Sequence, residues 1–108
     1  MEIEELQDFA DWENERIERF QDKSNDDMKP FSLIKLSEEA GEFANEALKT
    51  MGFQRKEKME DVDTMREKLE EELADVILVA ILAGRRFGID IESAISKKIE
   101  KIRRRNYK

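Results

Sequence analysis

The chain lacks cysteine and histidine and has little proline or glycine. Its 108 residues include one Pro, four Gly and 7% aromatic residues, so few positions break a helix. Without Cys there are no disulfides or thiolate ligands, and without His there are no imidazole ligands and no imidazole acid–base catalysis. Any bound metal ion must therefore be held mostly by oxygen atoms, which favours Mg²⁺, Mn²⁺ or Ca²⁺.

The charge balance and the apolar runs limit the classes of partner. Charged residues make up 44% of the chain and the formal net charge is −7, which makes nucleic-acid binding by the whole protein unlikely. The N-terminus, MEIEELQDFA, is acidic and unlike a signal or transit peptide. The longest apolar run, residues 76–84, is far shorter than the roughly 20 residues that span a bilayer. We therefore expect a cytoplasmic protein with no membrane segment.

Apolar periodicity and helix-end signals predict an all-α fold of four helices in one domain, residues 1–108. The predicted helices cover residues 3–22, 31–51, 63–87 and 91–104, with Asp63 or Thr64 as the cap of the third. Residues 24–30 are predicted to be a connection that places Pro30 in the first turn of the second helix. Residues 53–62 are predicted to form a charged loop. The first helix is expected to bury an apolar stripe: Leu6, Phe9, Ala10, Ile17 and Phe20.

Two stretches, LSEEAGEF at residues 36–43 and LEEELADV at residues 69–76, repeat one acidic template. Glu39 and Glu42 lie three residues apart on one helix face, and Glu72 and Asp75 do the same. If the two helices pack antiparallel, the four carboxylates meet and repel one another. One or two divalent cations would relieve this repulsion, so the template predicts a metal site.

Other interpretations of the acids fit the sequence less well. Most Glu pairs on helices lie on solvated faces, but the doubled template next to an all-apolar run favours a site. A di-iron bundle normally needs Glu-x-x-His, and the chain has no His. An EF-hand loop through Asp61, Asp63 and Glu72 fails because Arg66 and Met65 occupy its glycine and ligand positions.

The motif Glu38-Glu39-x-x-Glu42 followed by Glu72-x-x-Asp75 resembles the MazG-like family of all-α nucleoside triphosphate pyrophosphatases. The resemblance implies a four-helix, MazG-like bundle completed by oligomerisation as a homodimer or homotetramer. It implies hydrolysis of an NTP or dNTP to the monophosphate and diphosphate, with a role in nucleotide-pool house-cleaning. It also implies Mg²⁺, with Mn²⁺ as a possible substitute, held by Glu39, Glu42, Glu72 and Asp75. Glu38 and Glu39 would be the catalytic acids. Glu38 would support the metal ligands, bind an additional ion or help to orient water.

The basic and aromatic residues offer candidates for substrate binding. Residues 97–108 hold seven basic residues and one acid, and Lys98 and Lys101 are the choice for the triphosphate. Trp12 is the choice for the nucleobase, with Phe9 and Phe31 as further stacking candidates. The alternative function is a non-catalytic oligomeric helical adaptor whose basic C-terminal helix binds an acidic partner or RNA.

Overall fold

The computed structural model describes residues 1–52 and 61–105, and within them the chain forms four helices and no strand. The helices are α1 (Ile3–Gln21), α2 (Asn25–Thr50), α3 (Val62–Arg86) and α4 (Ile91–Arg103). The predicted all-α, four-helix fold is therefore confirmed. Most of the predicted charged loop, residues 53–60, lies outside the described residues. None of the described helices is long and apolar enough to span a membrane.

The predicted start of the second helix was wrong, because α2 begins six residues earlier, at Asn25. Ser24 caps it, and its hydroxyl accepts a hydrogen bond from the Asp27 N–H at 3.1 Å. The negative charges of Asp26 and Asp27 in the first turn also stabilise the helix by interacting with the positive end of its dipole. Pro30 lies inside the helix, where its missing N–H removes one backbone hydrogen bond. Residues 25–30 of the predicted connection therefore belong to α2.

The ends of α3 and α4 are also set by local capping groups. Asp61, rather than Asp63 or Thr64, caps α3, and its carboxylate accepts bonds from the Thr64 N–H at 2.9 Å and hydroxyl at 2.7 Å. These bonds lower the pKa of Asp61. Gly88 follows α3 with a φ of 70°, and Asp90 caps α4 through the Ser93 N–H at 3.2 Å.

The helices pack around α3, which contacts the other three. α2 lies antiparallel to α3. The start of α2 meets the end of α3, where the Asn25 side chain donates to the carbonyl of Arg86 at 3.0 Å. The buried core is small and centres on Ala10, Ile81 and Ile91. α4 contacts α1 and α3, and beyond its first turns its residues are exposed.

The predicted inward stripe of α1 was partly wrong. Ala10 is buried and Leu6 and Ile17 are partly buried, but Phe9 is exposed and Phe20 is 85% exposed. The buried face of α1 continues instead through Asn14, which is 6% exposed. Its side-chain amide donates to the carbonyl of Leu82 at 3.0 Å, which partly satisfies this polar residue at a core position.

Candidate metal centre and adjoining pocket

The antiparallel packing of α2 on α3 brings three of the predicted acids together. Glu39 is 5% exposed, and Glu72 and Asp75 are partly buried. Each of the three offers one carboxylate oxygen, and these oxygens lie within 4.8 Å of one another. We call these three residues the acid cluster. The i, i+3 spacing within LEEELADV aims Glu72 and Asp75 at α2, where Glu39 lies on the packed face.

The acid cluster is short of compensating charge. Among the described residues, one oxygen of Glu39 and one of Glu72 are buried and have no hydrogen-bond partner. Desolvation raises the pKa of Glu72, and the negative charges of Glu42, Asp75 and Glu39 raise it further. The other Glu39 oxygen pairs with the ammonium of Lys35 at 2.9 Å. One ammonium facing several carboxylates leaves an excess of negative charge between the two helices.

This donor set fits a hard divalent cation. Mg²⁺ and Mn²⁺ prefer carboxylate oxygens, and the acid cluster supplies three such groups from two rigid helices. The two unpaired buried oxygens are the atoms that a cation would satisfy. Burying them without any partner is costly, so the local chemistry favours a bound ion.

The two remaining predicted acids lie next to the cluster. Glu42 is exposed on α2, and its carboxylate is close enough to Glu72 for a hydrogen bond when one of the pair is protonated. Glu38 is also exposed and lines a neighbouring pocket. The structure thus brings all five predicted site acids into one region, with Glu39 the most buried. Their roles as ligands and catalytic groups stay predictions.

A pocket of about 410 Å³ lies between α1, α2 and α3 beside the acid cluster. Lys35 and Glu38 belong to its lining, so it is continuous with the carboxylates of α2. Its apolar lining residues include Ile17, Met28 and Phe31. A concave apolar site with a few polar groups is the usual form of a small-molecule pocket.

The polar residues at this pocket were missed from the sequence. Asn14 and Arg86 both line it, and both are at least nine-tenths buried. The guanidinium of Arg86 donates to Glu18 at 3.2 Å and to the side-chain oxygen of Asn25 at 3.1 Å. Its Nε is buried and has no acceptor among the described residues. The position of Asn14 on the apolar face of α1 is the sequence signal for a buried polar residue. Arg86 follows Arg85 in the last turn of α3, where basic residues are common, so the sequence does not indicate its burial.

The predicted substrate-binding residues lie elsewhere within this single chain. Trp12 is half exposed on α1, under the guanidinium of Arg16 at 4.5 Å, and does not line the pocket. Lys98 and Lys101 are exposed on α4, which makes no contact with α2 in the part of the chain that the structure describes. Among the aromatic candidates, Phe31 lines the pocket and Phe9 does not.

The comparisons with known proteins bear on residues that include the acid cluster. The model of the MazG nucleotide pyrophosphohydrolase domain matches residues 31–108. A comparison with curated proteins and one with solved structures found no significant match. The match covers α3, α4 and most of α2, and α1 lies outside it.

Proposed function

The chain belongs to the MazG nucleotide pyrophosphohydrolase domain family, and we propose that it is a Mg²⁺-dependent nucleoside triphosphate pyrophosphohydrolase. The reaction is hydrolysis of an NTP or dNTP between the α and β phosphates, which gives the nucleoside monophosphate and diphosphate. Clearance of an unwanted nucleotide from the pool is the role that such a reaction would serve.

The observation that carries this proposal is the acid cluster with its two unpaired buried oxygens. Glu39, Glu72 and Asp75 would hold Mg²⁺, and Glu42 would complete the ligand set from the next turn of α2. Mg²⁺ bound there would neutralise carboxylate and phosphate charge and lower the pKa of a water molecule. Mn²⁺ would substitute because it takes the same oxygen ligands.

The protein groups have separate tasks in this reaction. Glu38 is exposed at the pocket beside the cluster, where it would orient the attacking water and accept its proton. Glu39 would serve both as a ligand and as a catalytic acid. Lys98 and Lys101 are proposed to bind the triphosphate, supported by the cationic excess of residues 97–108.

We also propose that the chain works as a homodimer or homotetramer. Ile95, Ile99 and Ile102 form an exposed stripe on α4, and Leu73 and Ile77 are exposed on the acid-bearing helix α3. The radius of gyration is 17.1 Å, against about 13 Å expected for a compact chain of this length. Light scattering tests the assembly: Ile99→Glu should lower the mass, whereas Lys97→Glu, on the opposite face of α4, should leave it unchanged.

The test of the reaction is product analysis with a panel of canonical and damaged NTPs and dNTPs, in Mg²⁺ and in EDTA. We expect monophosphate and diphosphate from at least one nucleotide in Mg²⁺ and none in EDTA. Glu72→Gln should lose this activity, whereas Glu71→Gln, an exposed neighbour outside the cluster, should keep it.

Three other results of this product analysis would contradict parts of the proposal. Release of single phosphate would refute cleavage between the α and β phosphates. Equal activity of Glu72→Gln and Glu71→Gln would refute the role of the acid cluster. No hydrolysis of any nucleotide, together with no Mg²⁺ binding by calorimetry, would favour the adaptor that uses its basic C-terminal helix to bind an acidic partner or RNA.

A further inference from the structure

Lys35 of α2 shares a carboxylate with the proposed metal ion. Its ammonium pairs with one oxygen of Glu39 at 2.9 Å. The other oxygen of Glu39 is buried and has no partner in the described part of the chain. A cation of the protein itself therefore already occupies one side of the carboxylate that a divalent cation would need.

The two partners of this ion pair differ in their freedom to move. The side chain of Lys35 is 56% exposed, whereas that of Glu39 is 6% exposed. The lysine carries its charge on a flexible four-carbon stem, so the ammonium can leave Glu39 without disturbing the packing of α2 on α3. Glu39 cannot follow it, and a buried carboxylate without any cation is costly. Lys35 is thus free to leave only when another cation takes its place.

A divalent cation in the acid cluster would displace Lys35. Both would contact the same carboxylate, so their positive charges would lie close together and repel each other. The ion would also engage Glu72 and Asp75, which offer oxygens within 4.8 Å of that of Glu39, whereas Lys35 has one pairing contact with the cluster. The ion therefore has the advantage in this competition.

A phosphate is a better new partner for the released ammonium than the nearby acids. Glu38 and Glu42 lie close enough to attract Lys35, but both are exposed, and such ion pairs contribute little. A phosphate carries more charge and accepts charge-assisted hydrogen bonds. Lys98 and Lys101 lie on α4, which makes no contact with α2 in the described residues. Lys35 therefore supplies positive charge from a helix that itself carries the acids.

We propose, on the basis of the proposed function, that Lys35 is a phosphate-binding residue that exchanges Glu39 for a substrate phosphate when a divalent cation enters the acid cluster. The ammonium offsets the charge of Glu39 before the ion binds and the charge of the phosphate afterwards. Because Glu39 holds the ammonium until the ion arrives, phosphate binds together with the ion or after it.

The exchange is tested by NMR with diphosphate, a product of the proposed reaction, as the probe. The protein is labelled with ¹³C and ¹⁵N in lysine, and Lys35→Arg and Lys49→Arg assign the two ammonium signals. Lys49 is the matched control, because it pairs with Glu46 at 3.0 Å on the same helix and outside the acid cluster. Excess Mg²⁺ should shift the Lys35 signal, and diphosphate should shift it again in Mg²⁺ but not in EDTA. The Lys49 signal should stay in place.

Lys35→Met is the test variant for affinity, and Lys49→Met is its control. Loss of an exchanging lysine has effects of opposite sign in calorimetric titrations. Mg²⁺ alone should bind more tightly, whereas diphosphate should bind the Mg²⁺-loaded protein about tenfold more weakly, because a charge-assisted hydrogen bond is lost. KM for a hydrolysed nucleotide should rise by a similar factor, with a smaller change in kcat. Lys49→Met should behave as wild type.

The outcomes separate this inference from the reaction. Mg²⁺ binding that leaves the Lys35 signal in place, or equal diphosphate affinities of Lys35→Met and Lys49→Met, would overturn the exchange, and normal hydrolysis would leave the reaction standing. Weaker binding of both Mg²⁺ and diphosphate to Lys35→Met would show a structural role and would also overturn the exchange. Both signal shifts without hydrolysis of any nucleotide would support the exchange and overturn the reaction. No Mg²⁺ binding would overturn both.

Discussion

Replacing Arg86 by methionine should show how strongly one buried cation joins three helices. Arg86 on α3 donates to Glu18 of α1 at 3.2 Å and to Asn25 of α2 at 3.1 Å. A longer bond of 3.4 Å runs to the carbonyl of Asn14. Methionine fills similar space without a charge or a donor, so the change removes these bonds with little loss of packing.

The expected loss follows from the burial of the two partners. Breaking a buried ion pair from one side costs about 3–5 kcal/mol. The Arg86 side chain is 1% exposed but that of Glu18 is 26% exposed, so the orphaned carboxylate regains some hydration. We therefore expect the lower end of this range, about 3 kcal/mol.

The adjacent Arg85 provides a matched control on another face of α3. Its guanidinium makes two bonds of 2.9 Å to Asp11, and it also donates to Gln7 at 3.2 Å and to the carbonyl of Ile89 at 3.0 Å. The two side chains of the ion pair are 26% and 44% exposed. Pairs this exposed contribute about 1 kcal/mol or less, so Arg85→Met should cost about a third as much as Arg86→Met.

Urea unfolding at a fixed protein concentration measures both losses. With a slope of about 2 kcal/mol per molar, Arg86→Met should lower the midpoint by about 1.5 M and Arg85→Met by about 0.5 M or less. An unchanged slope would show that the two-state comparison holds. Equal losses, or a loss below about 1 kcal/mol for Arg86→Met, would refute the argument from burial.

Three further predictions concern the acid cluster and the helices that hold it. Because desolvation first, and neighbouring carboxylates second, raise the pKa of Glu72, its protonated form stabilises the metal-free fold below its ordinary pKa of 4.5. That stability is lost as the pH rises through the raised pKa. Melting temperatures measured in EDTA should therefore fall with rising pH for the wild type relative to Glu72→Gln. Melting temperatures of the two proteins that change in parallel with pH would contradict this. Gly41→Ala should raise the melting temperature, since nothing lies within 4 Å of the added Cβ and alanine favours a helix by about 0.5–1 kcal/mol. Gly84→Ala should lower the melting temperature, since the added Cβ would lie 2.8 Å from Cδ1 of the buried Ile91, and overpacking costs about 1–3 kcal/mol. Equal melting temperatures of the two variants by calorimetry would contradict the close contact of Gly84 with Ile91. Lys35→Met should tighten Mg²⁺ binding in a calorimetric titration, because it removes the cation that pairs with Glu39; weaker binding would show that Lys35 helps to organise the site.

The acid cluster was predictable because it depends on helix geometry and one packing contact. The i, i+3 spacing fixes Glu72 and Asp75 on a single face of α3 whatever the rest of the chain does. Antiparallel packing of α2 then needs only the right register to add Glu39. The sequence could not show how deeply each acid is buried, because exposure depends on the crossing of the two helices.

The pocket was not predictable, because the burial of its polar lining residues depends on contacts between distant segments. Asn14 is suited to a core position only because its amide bonds to the carbonyl of Leu82, and the two residues are far apart in the chain. Arg86 is likewise ordinary in sequence and unusual only in its burial. The early start of α2 has a local cause, because the capping group of Ser24 begins the helix upstream of Pro30.

The burial of Glu39 favours a functional cluster over a merely solvated helix face. The carboxylates of a solvated helix face are stabilised by hydration. Glu39, in contrast, is 5% exposed, and one of its oxygens has no hydrogen-bond partner in the described chain. An apolar residue at that position would stabilise the α2–α3 contact, so the carboxylate is a cost to the fold. Lys35 offsets only part of the charge that Glu39, Glu72 and Asp75 share. A divalent cation would offset the remainder, so the same ion that the proposed chemistry requires would also stabilise the packing of α2 on α3.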